Sequence, residues 1–180
     1  HLSNLLITGN QALNRGGGIH FSESNSSMTN VTLNGNIAEN TSGFSCYNSS
    51  NIKVINSIIW NNSSEEIELY LAEITIENSD VYGGQGSVND DNGTVNWLDG
   101  NIDADPNFTD PENDDYTLQW PSHSINTGDP ESELDPDGTR EDMGAYPFDF
   151  TDLVIGCSDP LASNYEPDAD LETHNIHCEY

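Results

Sequence analysis

Asn4-Leu-Leu-Ile-Thr-Gly-Asn10, Asn30-Val-Thr-Leu-Asn-Gly-Asn36, Asn56-Ser-Ile-Ile-Trp-Asn-Asn62 and Asn78-Ser-Asp-Val-Tyr-Gly-Gly84 are four versions of one phrase. Their opening asparagines are spaced by 30−4 = 26, 56−30 = 26 and 78−56 = 22 residues. A period of that size marks one supersecondary unit stacked on copies of itself. The phrases carry alternating β-formers without helical spacing, so each predicts one coil of a β-solenoid. Just upstream of the asparagine, Met28, Val54 and Ile76 share one position, and Ser26, Ile52 and Ile74 another. A third strand recurs as Ile19/Phe21, Phe44/Cys46 and Ile67/Leu69. Three short strands per coil follow, with inward apolar residues alternating with outward polar ones.

The asparagines have a physical task at a tight bend. Asn tolerates the left-handed backbone conformation required there and can bond its own backbone. The column Asn4, Asn30, Asn56 and Asn78 is therefore expected to form a structural ladder whose stacked amides bond one another. Asn30 should then be buried. The chain has 23 asparagines in 180 residues, enough for some chance spacings; three strand positions repeating in phase with the column argue for the ladder.

On these residues the first hundred positions resemble a right-handed parallel β-helix of secreted and surface proteins of bacteria. The next segment runs Asn101-Ile-Asp-Ala-Asp-Pro-Asn-Phe108, Asp115-Tyr-Thr-Leu-Gln119, Ser122-His-Ser-Ile-Asn-Thr-Gly-Asp-Pro130 and Asp135-Pro-Asp-Gly-Thr-Arg-Glu-Asp-Met-Gly-Ala-Tyr146. It resembles the ending of large bacterial β-helix surface proteins, where the last coils give way to a loop-rich cap. His123, Ser124, Asn126 and Thr127 depart from the usual Ser-Pro-Ala-Ile-Asp-Ala-Gly pattern of that ending. The Asp-Gly-Thr-Arg…Asp-Met-Gly-Ala-Tyr stretch is intact. Gly156-Cys-Ser-Asp-Pro-Leu-Ala-Ser-Asn-Tyr165, closing with Cys178-Glu-Tyr180, resembles a short two-cysteine module of secreted bacterial proteins. The implied organisation is all-β: coils over 1–100, an acidic loop-rich cap over 101–150, and a small module over 151–180. Such a fold carries architecture, not activity.

Thirty-two acidic residues against three basic ones give a net charge of −29. Self-repulsion at that level disfavours a compact cytosolic domain and fits a secreted or cell-surface protein. Nucleic acid is excluded as a partner, because only Arg15, Lys53 and Arg140 could meet phosphates. No apolar run approaches the length of a membrane span. The chain starts in the middle of a coil, and that coil would expose strand edges and an apolar interior. A piece of a longer protein is therefore expected, with upstream coils or another copy seated on the first one.

Cys157 and Cys178 bracket a loop of 178−157+1 = 22 residues in a segment too small for its own core. A disulfide is one reading; a zinc site using Cys157, Cys178, His174 and His177 is the other. Cys46 reads as a buried small hydrophobe level with Phe21 and Leu69. No catalytic residues are assigned. Lys53 lies alone between Arg15 and Arg140, and Glu23, Glu39, Glu65, Glu66, Glu68, Glu73, Glu77 and Asp80 read as a scattered, solvated face rather than the clustered carboxylates of a hydrolase.

Structural calcium is the one cofactor expected. Asp135, Asp137 and Asp142 place hard oxygens around a tight turn, and Asp168 and Asp170 offer a second, weaker set. Sequons for glycan attachment occur at Asn25, Asn40, Asn48, Asn61, Asn62, Asn92 and Asn107, with an eighth at the ladder residue Asn30. Trp97 and Trp120, with Tyr82, Tyr116 and Tyr146, either bury the cap or offer rings to surface glycans. These features point to a non-enzymatic extracellular structural or adhesive protein. It would be the C-terminal part of a larger surface protein, with end-to-end assembly into a filament as one form. The alternative is a carbohydrate-binding or lyase- or hydrolase-like β-helix whose active coils lie upstream.

Overall fold

A computed structural model of the chain describes residues 1–39, 43–62, 65–151, 156–157, 159–166 and 178–179. Asn40, Asp168, Asp170, His174 and His177 lie outside the described residues. The protein is a parallel β-solenoid of about four turns, followed by irregular chain; short 3-10 turns at Gly84–Ser87 and Pro111–Asn113 are its described helical elements. The chain divides into two compact units, His1–Phe148 and Asp149–Tyr180.

The first coil holds β1 (Leu2–Thr8), β2 (Gln11–Ala12) and β3 (Ile19–Ser22). The second holds β4 (Asn25–Asn34), β5 (Ile37–Ala38) and β6 (Phe44–Tyr47). The third holds β7 (Asn51–Ile55), β8 (Ile58–Trp60) and β9 (Ile67–Tyr70), and the fourth β10 (Glu73–Glu77), β11 (Asp80–Val81) and β12 (Val88–Asp91). A fifth turn begins with β13 (Thr94–Trp97) and reaches Ile102, which bridges Asp80. Every pairing between coils is parallel, and the register puts Met28, Val54 and Ile76 in one column and Phe21, Cys46 and Leu69 in another. The columns read from the sequence are thus the ones the backbone forms. The two-residue pairing of β2 with β5 is an addition the sequence pattern did not signal.

Each coil turns where a residue adopts positive φ. One corner holds Asn4, Asn30, Asn56 and Asn78 at φ 52°, 55°, 47° and 45°, and Gly100 continues it at 78°. A second holds Gly9, Gly35, Asn61 and Gly83, and a third Glu23, Asn48, Leu71 and Asn92. Only Gly, and less readily Asn, visits this region at low cost, which explains the Asn and Gly content. The space is tight as well: a Cβ on Gly100 would lie 2.1 Å from Asn78 Oδ1.

The amide ladder, however, is not the corner column. Asn36 Oδ1 accepts from Asn10 N and Nδ2 at 3.1 and 3.0 Å, and Asn62 Oδ1 accepts from Asn36 N and Nδ2 at 3.1 and 2.9 Å. The chain of bonds ends at Glu66, whose carboxylate accepts from Asn62 Nδ2 at 2.7 Å. These asparagines close the same seven-residue phrases that the corner asparagines open. Asn36 and Asn62 are buried out of reach of water, so their amides must find partners in the protein. Asn30 is only partly buried, not sealed in a ladder.

The interior is a column of aliphatic side chains: Met28, Val31, Leu33, Ile52, Val54, Ile59, Ile67, Leu69, Ile74, Ile76 and Val81, with Phe44 and Cys46, are all fully buried. Burial pushes the Cys46 thiol well above its ordinary value, so it is an inert packing residue. In the C-terminal unit Cys157 and Cys178 form a disulfide; with both sulfurs in that bond, the zinc reading of the pair is set aside. Closing a loop of this size contributes about 3 kcal/mol on the chain-entropy estimate.

Leu71 occupies a left-handed corner where the neighbouring coils carry Asn48 and Asn92, and it is 49% exposed. Leu71→Asn is expected to stabilise the protein by about 1 kcal/mol, since the side chain gives up little burial and a strained backbone is relieved. Urea denaturation measures it; a fall in the midpoint would mean that Leu71 holds the corner by packing.

Candidate functional site: the junction of coil and strap

After an antiparallel hairpin of β14 (Phe108–Asp110) and β15 (Asp115–Leu118), residues 122–145 fold back as a strap along the flank of coils two to four. The reason lies in the outward column Thr32, Ile58, Asp80. Ile58 is an aliphatic residue facing away from the core, and it is 1% exposed because the strap covers it. Gly144 is the point of closest approach: a Cβ there would sit 2.8 Å from Ile58 Cδ1 and 2.9 Å from Thr32 Oγ1. Met143 and Ala145 on either side are buried. The Met-Gly-Ala of the motif is thus a packing element.

Polar contacts fix the strap. Gly144 N donates to Asn56 O at 2.8 Å, and Ala145 N to Thr32 Oγ1 at 2.9 Å. Asn56 is fully buried; its Oδ1 accepts from Asp129 N at 2.6 Å and its Nδ2 donates to Glu141 Oε2 at 2.6 Å. Asn30 Nδ2 donates to the other oxygen of Glu141 at 2.5 Å. The corner amides of Asn30 and Asn56 therefore anchor the strap, because a left-handed corner turns its side chain off the sheet. Arg140 Nε donates to Gly128 O at 2.7 Å, so this cation braces the strap from within.

Asp80 is the buried centre of the junction. Its Oδ2 accepts from Ser124 Oγ at 2.8 Å and its Oδ1 from Ala104 N at 3.2 Å. Burial, reinforced more weakly by the charges of Asp103 and Asp105, pushes its carboxyl up to about 7. Glu66 at the foot of the amide ladder is likewise raised to about 7 by burial. The sequence placed both on a solvated face, yet they are 0% and 2% exposed. The signal was available: Asp80 falls in phase with Thr32 and Ile58, and an outward Ile implies a covered face.

Asp135 and Asp142 line a crevice of about 260 Å³ together with Asn4, Asn30, Glu133 and Glu141, and the charge of Asp137 reaches both of them. Their oxygens serve backbone donors. Asp142 accepts from Asn126 N and Phe148 N, both at 2.6 Å, Asp135 from Asp142 N at 2.9 Å, and Asp137 from Thr139 N at 2.9 Å. Burial, then the neighbouring Asp142 charge, raises Asp135 to about 6. Among the described residues no three His, Cys, Asp or Glu side chains are grouped to hold a metal ion. Asp135 and Asp142 thus tie separate stretches of the strap to one another, while Asp137 holds its own turn.

Of the sequon asparagines, Asn62 is committed to the ladder and 4% exposed, while Asn25, Asn48, Asn61 and Asn92 are exposed and Asn107 donates to Gln119 O at 3.1 Å. Tyr116 packs edge-on against Phe108 and Trp97 packs against the core, whereas Tyr82, Trp120 and Tyr146 remain exposed. Lys53 pairs with Glu77 at 2.5 Å. A stack that sequence reading missed runs up the outside of the third strands: Arg15 lies 4.3 Å over the Tyr47 ring, which in turn stacks on Tyr70. Comparison with protein families, curated proteins and solved structures finds no match.

Both buried carboxyls titrate higher in the folded than in the unfolded chain. Their contribution to stability is full below the ordinary carboxylate range and is lost as pH rises towards about 7. Thermal unfolding is therefore expected at higher temperature at pH 5 than at pH 7.5, with Asp80→Asn reducing the slope. An unchanged slope in that variant would remove Asp80 as its source. Gly144→Ala, which must combine φ +100° with contact on Ile58, is expected to cost about 2 kcal/mol or more by chemical denaturation.

Proposed function

We propose that the chain is a non-enzymatic structural or adhesive element of an extracellular or cell-surface protein, of the bacterial β-helix kind that its sequence resembles, and the C-terminal part of a longer solenoid. The observation that carries the proposal is where its polar side chains go. Asn10, Asn36 and Asn62 hold successive coils together, Glu66 ends that ladder within the third coil, and Asn30, Asn56, Asp80 and Glu141 hold the strap to the coils. The disulfide of the C-terminal unit supports an oxidising compartment. The charge of −29 supports a solvated life away from nucleic acid and anionic membranes. A carbohydrate-binding role is the second reading, favoured by the exposed rings of Tyr82, Trp120 and Tyr146.

Protease shaving of intact source cells, with alkylation to report the state of Cys157 and Cys178, tests the reading. Release of disulfide-bonded peptides from the surface or medium is the expected result. Recovery inside the cell with both thiols free would reject it. Saturable binding to a neutral or acidic polysaccharide panel, lost when Tyr82, Trp120 and Tyr146 are changed to Ala, would move the assignment to the second reading.

A further inference from the structure

The third corner of the coils departs from the repeat in one place. On successive coils the pair Tyr47 and Asn51 aligns with Ser22 and Asn25, with Tyr70 and Glu73, and with Asp91 and Thr94. Two residues separate the members of the last three pairs, but three separate Tyr47 from Asn51. Ser49 is the extra one, since Asn48 matches Glu23, Leu71 and Asn92, and Ser50 matches Ser24 and Ala72. An insertion on one face of a repeat protein commonly falls on its binding face.

The backbone there is strained as well. Ser49 adopts φ 63° and Leu71 φ 51°, a region that Gly and Asn visit readily and these residues do not. Ser49 N donates to Leu71 O at 2.7 Å, so the inserted residue and the strained one are joined. Leu71 is half-exposed, and little burial offsets its strain. Strained residues of this kind cluster where ligands are held.

Two open depressions meet at this pair. One of about 610 Å³ is lined by Glu23, Asn25, Asn48, Ser49 and Leu71. The other, of about 630 Å³, shares Asn25, Ser49 and Leu71 and extends past Asn51 to Asn92 and Thr94. Together they form one trough along the corner, with Leu71 common to both halves.

The lining selects the occupant. Asn25, Asn48, Ser49, Asn92 and Thr94 are exposed and offer amides and hydroxyls, which both donate and accept. None of the three basic residues lines the trough, and Glu23 and Glu73 bring negative charge to it, so an anionic ligand is repelled. The corner backbone is committed between coils, Asn48 N to Tyr70 O and Leu71 N to Asp91 O, which leaves no edge for an extended peptide. Successive polar rows stand roughly 4.8 Å apart, one inter-strand spacing and close to the length of a pyranose unit. Vicinal hydroxyls suit such rows, and the CH face of a sugar ring suits Leu71.

We propose that this trough binds a neutral polysaccharide, with Leu71 under a sugar ring and the amides of Asn25 and Asn48 on its hydroxyls. The site rests on the adhesive reading above for its setting, and none of Tyr82, Trp120 and Tyr146 lines it.

Affinity electrophoresis of the full chain through gels holding dextran, galactomannan or xyloglucan tests it, with alginate and polygalacturonate as acidic counterparts. Retardation by at least one neutral polymer and by neither acidic one is expected. Leu71→Asn and Asn25→Ala should each weaken it on the order of tenfold, while the urea midpoint of Leu71→Asn stays at or above that of the parent. That combination separates lost binding from lost folding. Three results would overturn the proposal: no retardation by any of the neutral polymers, stronger retardation by an acidic one, or retardation that both variants keep unchanged. Because purified protein is used, each of these is distinguishable from a failure of the surface-shaving experiment.

Discussion

Everything in this protein follows from the need to turn sharp corners in every coil. A parallel coil can bury a continuous aliphatic column only if its strands stay short and its bends stay in register. That in turn requires residues able to adopt positive φ at fixed intervals. Gly9, Asn30, Asn56 and Gly83 meet the requirement without cost to the strands between them. The interior then needs no large aromatic framework: Ile52, Ile74, Val54 and Ile76 stack on their counterparts and exclude water along the axis. Polar residues next to a corner are forced to satisfy one another, and the Asn10, Asn36, Asn62 ladder ending at Glu66 is the outcome.

Much of this was legible in the residues because the determinants are local and repeated. The 26-residue spacing, the Met28, Val54, Ile76 column and the inward place of Cys46 need only strand alternation and a count. Two kinds of information were not local. The phrase Asn-Val-Thr-Leu-Asn-Gly-Asn contains three asparagines, and nothing within it says which one bonds its neighbours; that depends on which side chain the bend turns inward. The strap was harder still. Its contacts join Glu141 to Asn30 and Asn56 across 111 and 85 residues, and no period links them. The paired Ile58-Ile59, which breaks the alternation, was the one trace of it in the coils.

The acids divide along the same line. Most lie on loops where water screens them, but Asp80 and Glu66 are sealed at junctions, each with hydrogen-bond donors and without a cation. The three basic residues have other partners: Arg140 braces the strap, Lys53 meets Glu77 and Arg15 covers Tyr47. Buried carboxyls of this kind fix geometry better than they add stability, because their hydrogen bonds are directional while their desolvation is unfavourable. Asp142, holding Asn126 and Phe148 by their backbone amides, fixes the strap in the same way.

The position of the strap also has a mechanical meaning. Tension applied to the chain at Phe148 reaches the fold through Asp142, Gly144 and Ala145, and these hand it to Asn56 and Thr32 in the middle of the stack. The last coil is therefore not the first element to be loaded. Force enters as shear across the flank, shared by several hydrogen bonds at once, and the solenoid is shielded from being unwound turn by turn from that end.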